Sequence, residues 1–338
     1  MPGLRIRYSR FAKSTREIDY TMDTMDKEKK IITVTTKRIN EQLALGAEGF
    51  VEKCEKDLDG KVSEIAGKMI EIGSDRRPLI LLAGPSGSGK TTIAAKLCYA
   101  IRGMGYPVCY LSMDSYFKTF TDEERALKAK NQIDLESPER LDAAFLNSEL
   151  KKLIDGGKID IPKYDFGTNS RLMTGKYISR NGGFVIVEGI HALNPAVLGD
   201  NDEFSTRIYA SVRTRVVDSE GDKLHPSKIR LLRRMLRDKL FRSRAPADTI
   251  VMYDSVEQGE QKYIMPYKYR ASINIDTFLQ YEPALYRAYL PEIAGLAREH
   301  KNVRDVVKAL DELTPLENVN IPANALISEF IGSDKQSD

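Results

Sequence analysis

Cysteine is scarce in this chain: Cys54, Cys98 and Cys109 are the only three in 338 residues. An odd number of thiols in apolar or helical surroundings excludes a disulfide framework and fits reduced thiols in a cytoplasmic setting. Net charge is nearly absent too, since 52 basic and 49 acidic residues leave +3. The molecule as a whole is therefore no electrostatic binder of nucleic acid, and any basic patch must be local. No apolar run approaches the ~18 residues of a membrane-spanning helix, which argues against a membrane partner. There is no internal repeat and no low-complexity tract. A guanine-reading N-K-x-D stretch is missing, as is L-S-G-G-Q, which argues against a GTPase switch and an ABC-type transport ATPase.

What is present is ordinary for a globular protein: 41% apolar and 30% charged residues. The length suits one large α/β domain with an appendage, or two domains. Residues 1–16 carry five basic residues and no acid. An organelle transit peptide is one reading of them; weak amphipathic character favours a plain flexible or strand-forming terminus. From about Lys37 to Ile72, Leu43, Leu45, Phe50, Leu58, Val62, Ile65, Met69 and Ile72 recur at helical spacing, with an interruption expected near Gly60.

Beyond that lead-in the pattern alternates. Strands are expected at 78–83, 107–113, 183–188, 206–212 and 272–278. Helices are expected at 89–103, 139–155, 226–243, 246–262, 282–299 and 302–313. Such alternation means a parallel sheet with helices on both faces. The segment 159–180 breaks the rhythm and reads as a β-hairpin flap. The division expected is an N-terminal extension over 1–74, a main domain over 75–314 with the flap and a helical lid at 226–246, and a tail over 315–338. That tail contains "NALISEFIG", a short docked segment before a disordered end.

Residues 84–92, "GPSGSGKTT", follow the apolar run "LILLA" and precede an amphipathic helix. Gly84, Gly89, Lys90 and Thr91 satisfy G-x-x-x-x-G-K-[ST], and Pro85, Ser86, Gly87, Ser88 and Thr92 complete the loop. Such a loop turns successive backbone N–H groups inward, and the following helix adds its positive end, so it suits phosphate. Lys90 would reach the β- and γ-phosphates and the Thr91 hydroxyl would bind Mg²⁺. The alternative is an ordinary Gly-rich turn, which the strand-before, helix-after context disfavours.

Ligands of open α/β sheets bind at the carboxyl ends of the strands. Asp114 closes "VCYLSM" there, as a base for an attacking hydroxyl or as a helix N-cap. Glu188 closes "FVIVE", as a Mg²⁺-side acid or a turn carboxylate. Eight basic residues lie between Lys228 and Arg244. Arg230, Arg233, Arg234, Arg237 and Arg244 share one helical arc away from Leu231, Leu232, Met235 and Leu236. That face suits a lid over phosphates; a nucleic-acid helix and a solvated face are its rivals. On the flap, Tyr164, Phe166 and Arg171 could sandwich a planar base, or Tyr164 and Phe166 could simply pack on the sheet.

Taken together, "GPSGSGKTT", "MDSYF", "PKYDFGTNSR", "VIVEGIHALNP" and "RLLRRMLRD" resemble, in order and spacing, the uridine kinase/phosphoribulokinase family over about residues 75–300. "SDRRPLILLAGPSGSGKTT", "APADTIVMYDSVEQGEQKYIMPY" and "NALISEFIG" look like a bacterial-type branch of its uridine kinases. Longer members of that branch carry a front end similar to that of threonyl-tRNA synthetase, which on this resemblance is missing here.

The resemblance implies a P-loop NTPase three-layer α/β sandwich with a β-hairpin flap and a helical lid. ATP or GTP with Mg²⁺ would donate a phosphoryl group to a small-molecule alcohol, most plausibly the 5′-hydroxyl of uridine or cytidine. Lys90 and Thr91 become phosphate and metal ligands, Asp114 the base, Glu188 the metal-side acid. Glu136, where nucleoside kinases of the family usually carry Asp, would contact the ribose hydroxyls. Tyr164, Phe166, Asn169 and Arg171 fall on the nucleoside-facing flap, and Arg233, Arg237, Arg242 and Arg244 on the lid. One departure concerns the base: uridine–cytidine kinases of the family carry a pyrimidine-contacting His where this chain has Asn169. A kinase of another small alcohol or sugar phosphate and a regulatory ATPase without an acceptor are the rival expectations, and a homo-oligomer is left open.

Overall fold

The computed structural model describes residues 31–130 and 132–332. The basic stretch at 1–16 and the last six residues lie outside the described residues. In chain order the elements are β1 (Thr33–Thr35), α1 (Thr36–Leu45), α2 (Ala47–Ile72), β2 (Leu79–Ala83), α3 (Lys90–Gly103), β3 (Val108–Ser112), α4 (Asp122–Ala129) and α5 (Ala143–Ile154). There follow β4 (Ile159–Asp165), β5 (Ser170–Ile178), β6 (Phe184–Glu188), α6 (Pro195–Leu198), β7 (Ser205–Ser211), β8 (Arg215–Val217) and β9 (Lys223–Leu224). The remainder is α7 (Pro226–Arg242), α8 (Pro246–Tyr263), β10 (Ile273–Asp276), α9 (Glu282–Tyr286), α10 (Leu290–Leu296), α11 (Arg304–Asp311) and α12 (Ser328–Ile331).

A five-stranded sheet in the order β10-β7-β2-β6-β3, parallel throughout, forms the frame. β2 sits in the middle and every one of its five side chains is buried. Because successive strand residues point to opposite faces, Ile80 and Leu82 join the core layer built with α2 and α3. Leu79, Leu81 and Ala83 join the layer built with α5. The helix–sheet–helix sandwich expected from the alternating pattern is thus the observed one, and β4 and β5 form the antiparallel hairpin outside it.

Several boundaries differ from expectation for local reasons. The lead-in does not break at Gly60; α2 runs through it, carried by Leu58, Val62, Ile65 and Met69 on one buried stripe. The break comes instead at Gly46, whose φ of 140° is a conformation that residues with a Cβ rarely adopt. Leu45 consequently leaves the apolar stripe and is 83% exposed. α5 begins at Ala143 because the Asp142 carboxylate caps it, accepting from the Phe145 N–H. The helix expected over 282–299 is split into α9 and α10 by a 3₁₀ turn at Arg287–Tyr289.

A small second sheet, unforeseen in the sequence, pairs β1 in parallel with β8, and β8 antiparallel with β9. The helical lead-in and the main sheet share one core: Phe50, Val51, Leu58 and Val62 lie in the same apolar cluster as Ile80 and Ile93.

The position of β2 makes a simple expectation. Leu82→Ala removes fully buried volume and should cost about 2–5 kcal/mol in urea unfolding, whereas Leu45→Ala should stay within about 0.5 kcal/mol. Equal effects at the two positions would contradict this placement of the core.

Candidate active site

The carboxyl ends of β2, β3 and β6 converge, and the phosphate-loop motif grows from the end of β2. Gly84 is in close contact there: a Cβ would lie 2.2 Å from the Ala210 carbonyl oxygen of β7. Gly87 and Gly89 hold φ of 74° and 77°, letting the loop curl back before α3 starts at Lys90. Pro85 accepts from the Ser88 N–H at 3.1 Å. The Ser88 hydroxyl is buried without a hydrogen-bond partner. Thr91 is exposed at the first turn of α3, and Thr92 beside it is half-buried.

Lys90 Nζ stands 3.5 Å from Glu188 Oε1 at the end of β6. The other oxygen of Glu188 accepts from the Tyr110 hydroxyl at 3.2 Å. Burial pushes the Glu188 carboxyl up, against the pull of Lys90, with the charge of Asp114 adding to the rise. A bare strand-end turn carboxylate would be solvated; this one is 5% exposed and paired. Asp114 follows β3 in a short 3₁₀ turn and is exposed. It is not the cap of that turn. Ser112 is, accepting from the Asp114 N–H, so the Asp114 carboxylate is not used for capping.

Glu136 is held between His191 and α8. Its pKa is pushed up by burial, with Arg234, Lys90 and Asp114 near enough to act on it. The His191 Nε2–H donates to its carbonyl at 2.9 Å, and burial lowers the imidazole to about 4, so it is neutral. Across from it, Gly259 of α8 makes room: a Cβ there would lie 2.6 Å from Glu136 Cβ. His191 and Gly259 were missed in the sequence, although "GIHAL" adjoins the Glu188 strand.

On the hairpin, Tyr164 is buried and Phe166 is 60% exposed. Their rings lie 5.1 Å apart edge-on and both meet Phe117, so in this conformation they stack on one another. Arg171 binds Asp142 at 2.9 Å and covers the Phe145 ring. Asn169 adopts φ of 53° in the hairpin turn. Its carbonyl accepts from the Phe120 N–H at 3.0 Å, and its side-chain oxygen accepts from Lys128.

The arginine helix departs most from expectation. Read as an arginine face suited to a lid, α7 is buried from Ile229 to Leu236, with Arg230, Arg233 and Arg234 inside, and only its last turn, Lys239–Arg242, is exposed. Arg233, expected at the phosphates, is fully buried, with its guanidinium taken up by protein partners. Its guanidinium grips Glu282 with Nε on Oε1 and Nη2 on Oε2, the latter at 2.8 Å. It also donates to the Gly87 carbonyl at 3.2 Å and the Thr277 carbonyl at 2.8 Å. Arg233 therefore braces the phosphate loop through its backbone. Arg230 and Arg234 act similarly, donating to the Ser86 carbonyl at 3.2 Å and the Ser86 hydroxyl at 3.1 Å.

Arg237, Arg242 and Arg244 gather on one carboxylate, Asp238, at 3.4, 3.4 and 3.1 Å, and Arg234 approaches it at 3.6 Å. Four guanidinium groups thus share a single fully buried acid. Burial, and then the Arg237 charge, lower the Arg242 guanidinium. Nε of Arg234 and Nε of Arg237 are buried without hydrogen-bond partners. The burial of Arg230, Arg233 and Arg234 is not that of a solvated face. The excess positive charge suits a polyanion.

The sequence pattern of the Phosphoribulokinase / Uridine kinase family matches residues 79–281. The chain belongs to this family. It is 31% identical over 211 residues to a uridine kinase of Deinococcus deserti, a match covering 62% of this chain and 92% of that one. It is 32% identical over 202 residues to a uridine kinase of Staphylococcus aureus strain JH9, covering 58% and 86%. With the mouse protein named uridine-cytidine kinase-like 1 it shares 33% over 187 residues, 55% of this chain and 31% of that one. A solved structure named as a possible uridine kinase from Bacillus stearothermophilus is 16% identical with a TM-score of 0.44, over 65% of this chain and all of that one. The protein is thus a P-loop phosphotransferase of nucleoside or sugar type that uses a nucleoside triphosphate. No helix among the described residues is long and apolar enough to cross a membrane.

The Arg233–Glu282 pair yields a prediction. Glu282→Gln leaves a buried guanidinium without its counter-charge and should destabilise the protein by about 3–5 kcal/mol in urea unfolding. A loss below about 1 kcal/mol would show that Arg233 is not held by this pair.

Proposed function

We propose that the protein transfers the γ-phosphate of ATP, or of GTP, to the 5′-hydroxyl of uridine or cytidine. The observation that carries this reading is the cluster at the strand ends: Lys90 on Glu188 under the phosphate loop, with Asp114 unengaged beside them. The phosphate tail would lie in the loop, where the orphaned Ser88 hydroxyl and the first N–H groups of α3 are suited to it. Arg237, Arg242 and Arg244 would hold the charge of the transferring group, since one Asp238 leaves them mostly uncompensated.

The Thr91 hydroxyl and the Glu188 carboxylate are the hard oxygen donors that suit Mg²⁺ here. Bound Mg²⁺ supplies charge neutralisation at the phosphates. Asp114 takes the proton of the acceptor hydroxyl, while Glu136 orients the ribose. In-line transfer then needs little beyond positioning and positive charge. The setting is a reducing cytoplasm, which three free thiols fit.

A second acceptor reading is favoured by one observation. Asn169 stands where a pyrimidine-contacting His is expected, and its side-chain oxygen is already engaged by Lys128. Another nucleoside, or a sugar alcohol, is therefore the alternative acceptor.

The test is Asp114→Asn, assayed for monophosphate formation from uridine and cytidine alongside a panel of other nucleosides and sugar alcohols. Loss of a general base is worth ~10²–10⁴ in rate, so transfer should fall by that factor while ATP–Mg²⁺ affinity barely changes. Lys90→Ala should instead weaken ATP binding. Transfer by Asp114→Asn at the wild-type rate would refute the base. A wild type inactive with uridine and cytidine but active with another alcohol would move the acceptor to the second reading.

A further inference from the structure

The tail returns to the phosphate loop. Ala325, Leu326, Ile327 and Phe330 are almost completely buried. The Phe330 ring lies 5.2 Å from the Arg233 guanidinium. Leu326 fills the space over Gly89, where a Cβ would come within 2.9 Å of its methyl groups. The segment is therefore anchored on both sides of the loop by apolar contacts.

Between these anchors Glu329 extends to α3. One of its carboxylate oxygens accepts from the Thr92 hydroxyl at 2.7 Å and from the Thr92 N–H at 3.3 Å. Thr92 is the third residue of α3. Its N–H is one of the donors that a helix leaves without an internal partner at its start. Those donors, with the positive helix end, are what a phosphate-binding loop offers an anion. A carboxylate on Thr92 presents the same chemistry as a phosphate oxygen, and two anions cannot share the two donors without repelling each other.

We propose that Glu329 is a built-in competitor of the phosphate donor, holding Thr92 in the nucleotide-free protein and leaving it when the triphosphate enters. This rests on the reading that residues 84–92 bind the donor's phosphates. Release needs only rotation of the half-buried Glu329 side chain, because Leu326, Ile327 and Phe330 anchor the segment independently of it. The triphosphate must displace the carboxylate, so apparent donor affinity is lowered by the fraction of molecules in which Thr92 is occupied.

Calorimetric titration of ATP–Mg²⁺ and of AMP into wild type, Glu329→Gln and Glu329→Ala tests this. Glu329→Gln keeps the shape and removes the charge; Glu329→Ala removes the contact altogether. Both should tighten ATP–Mg²⁺ on the order of tenfold, within the range of ordinary coupling between ligands, and any tightening of AMP should not exceed that of ATP–Mg²⁺. Unchanged affinity would overturn the proposal. Weaker affinity would overturn it too, by making Glu329 part of the occupied site. If neither wild type nor the variants bound any nucleotide, the donor-site reading would fail, and the competitor with it.

Discussion

A single guanidinium, that of Arg233, underlies the geometry of the cleft. Burying a positive charge completely is expensive unless it is paired and its donors are satisfied. Here the pairing is bidentate to Glu282, and the Tyr286 hydroxyl donates to the same acid. The remaining donors go to backbone carbonyls of the phosphate loop and of the chain just beyond β10. One side chain thereby fixes the loop against an edge strand of the sheet and against α9, while its face carries Phe330 of the tail. Moving any of these elements would strand a buried charge, so the loop is rigid for electrostatic reasons as well as steric ones.

The same logic sorts the arginines of α7 into two groups. Arg230, Arg233 and Arg234 donate to the loop's own carbonyls and hydroxyl, so they shape the loop. Arg237, Arg242 and Arg244 crowd a single acid and keep surplus charge. The first group makes a cradle for the loop and the second a concentration of positive charge beside Asp238.

Much of this was legible in the residues. The strand–loop–helix of "LILLAGPSGSGKTT", the acids at the ends of two further strands and the odd hairpin are all signals of local pattern, and they come out where expected. What escaped the sequence depends on distant partners. Amphipathic projection put Arg233 on one arc with the phosphate-facing arginines because nothing nearby announces Glu282, 49 positions away. Gly60 looked like a helix breaker, yet a buried stripe on either side carried the helix through it. β1 is three residues long and has no pattern of its own; it exists because β8 offers it an edge. Asp238, the one acid among the arginines of α7, was visible, but its role follows only from burial.

The glycine at 259 has a consequence for communication across the cleft. It lets Glu136 lie against α8. The next residue, Glu260, holds Arg230 at 2.7 Å, and Arg230 holds the Ser86 carbonyl in the phosphate loop. Two consecutive residues of one helix thus touch the two halves of the site. α8 therefore links the Glu136 segment to the phosphate loop through two adjacent residues, one without a side chain and one with a buried charge.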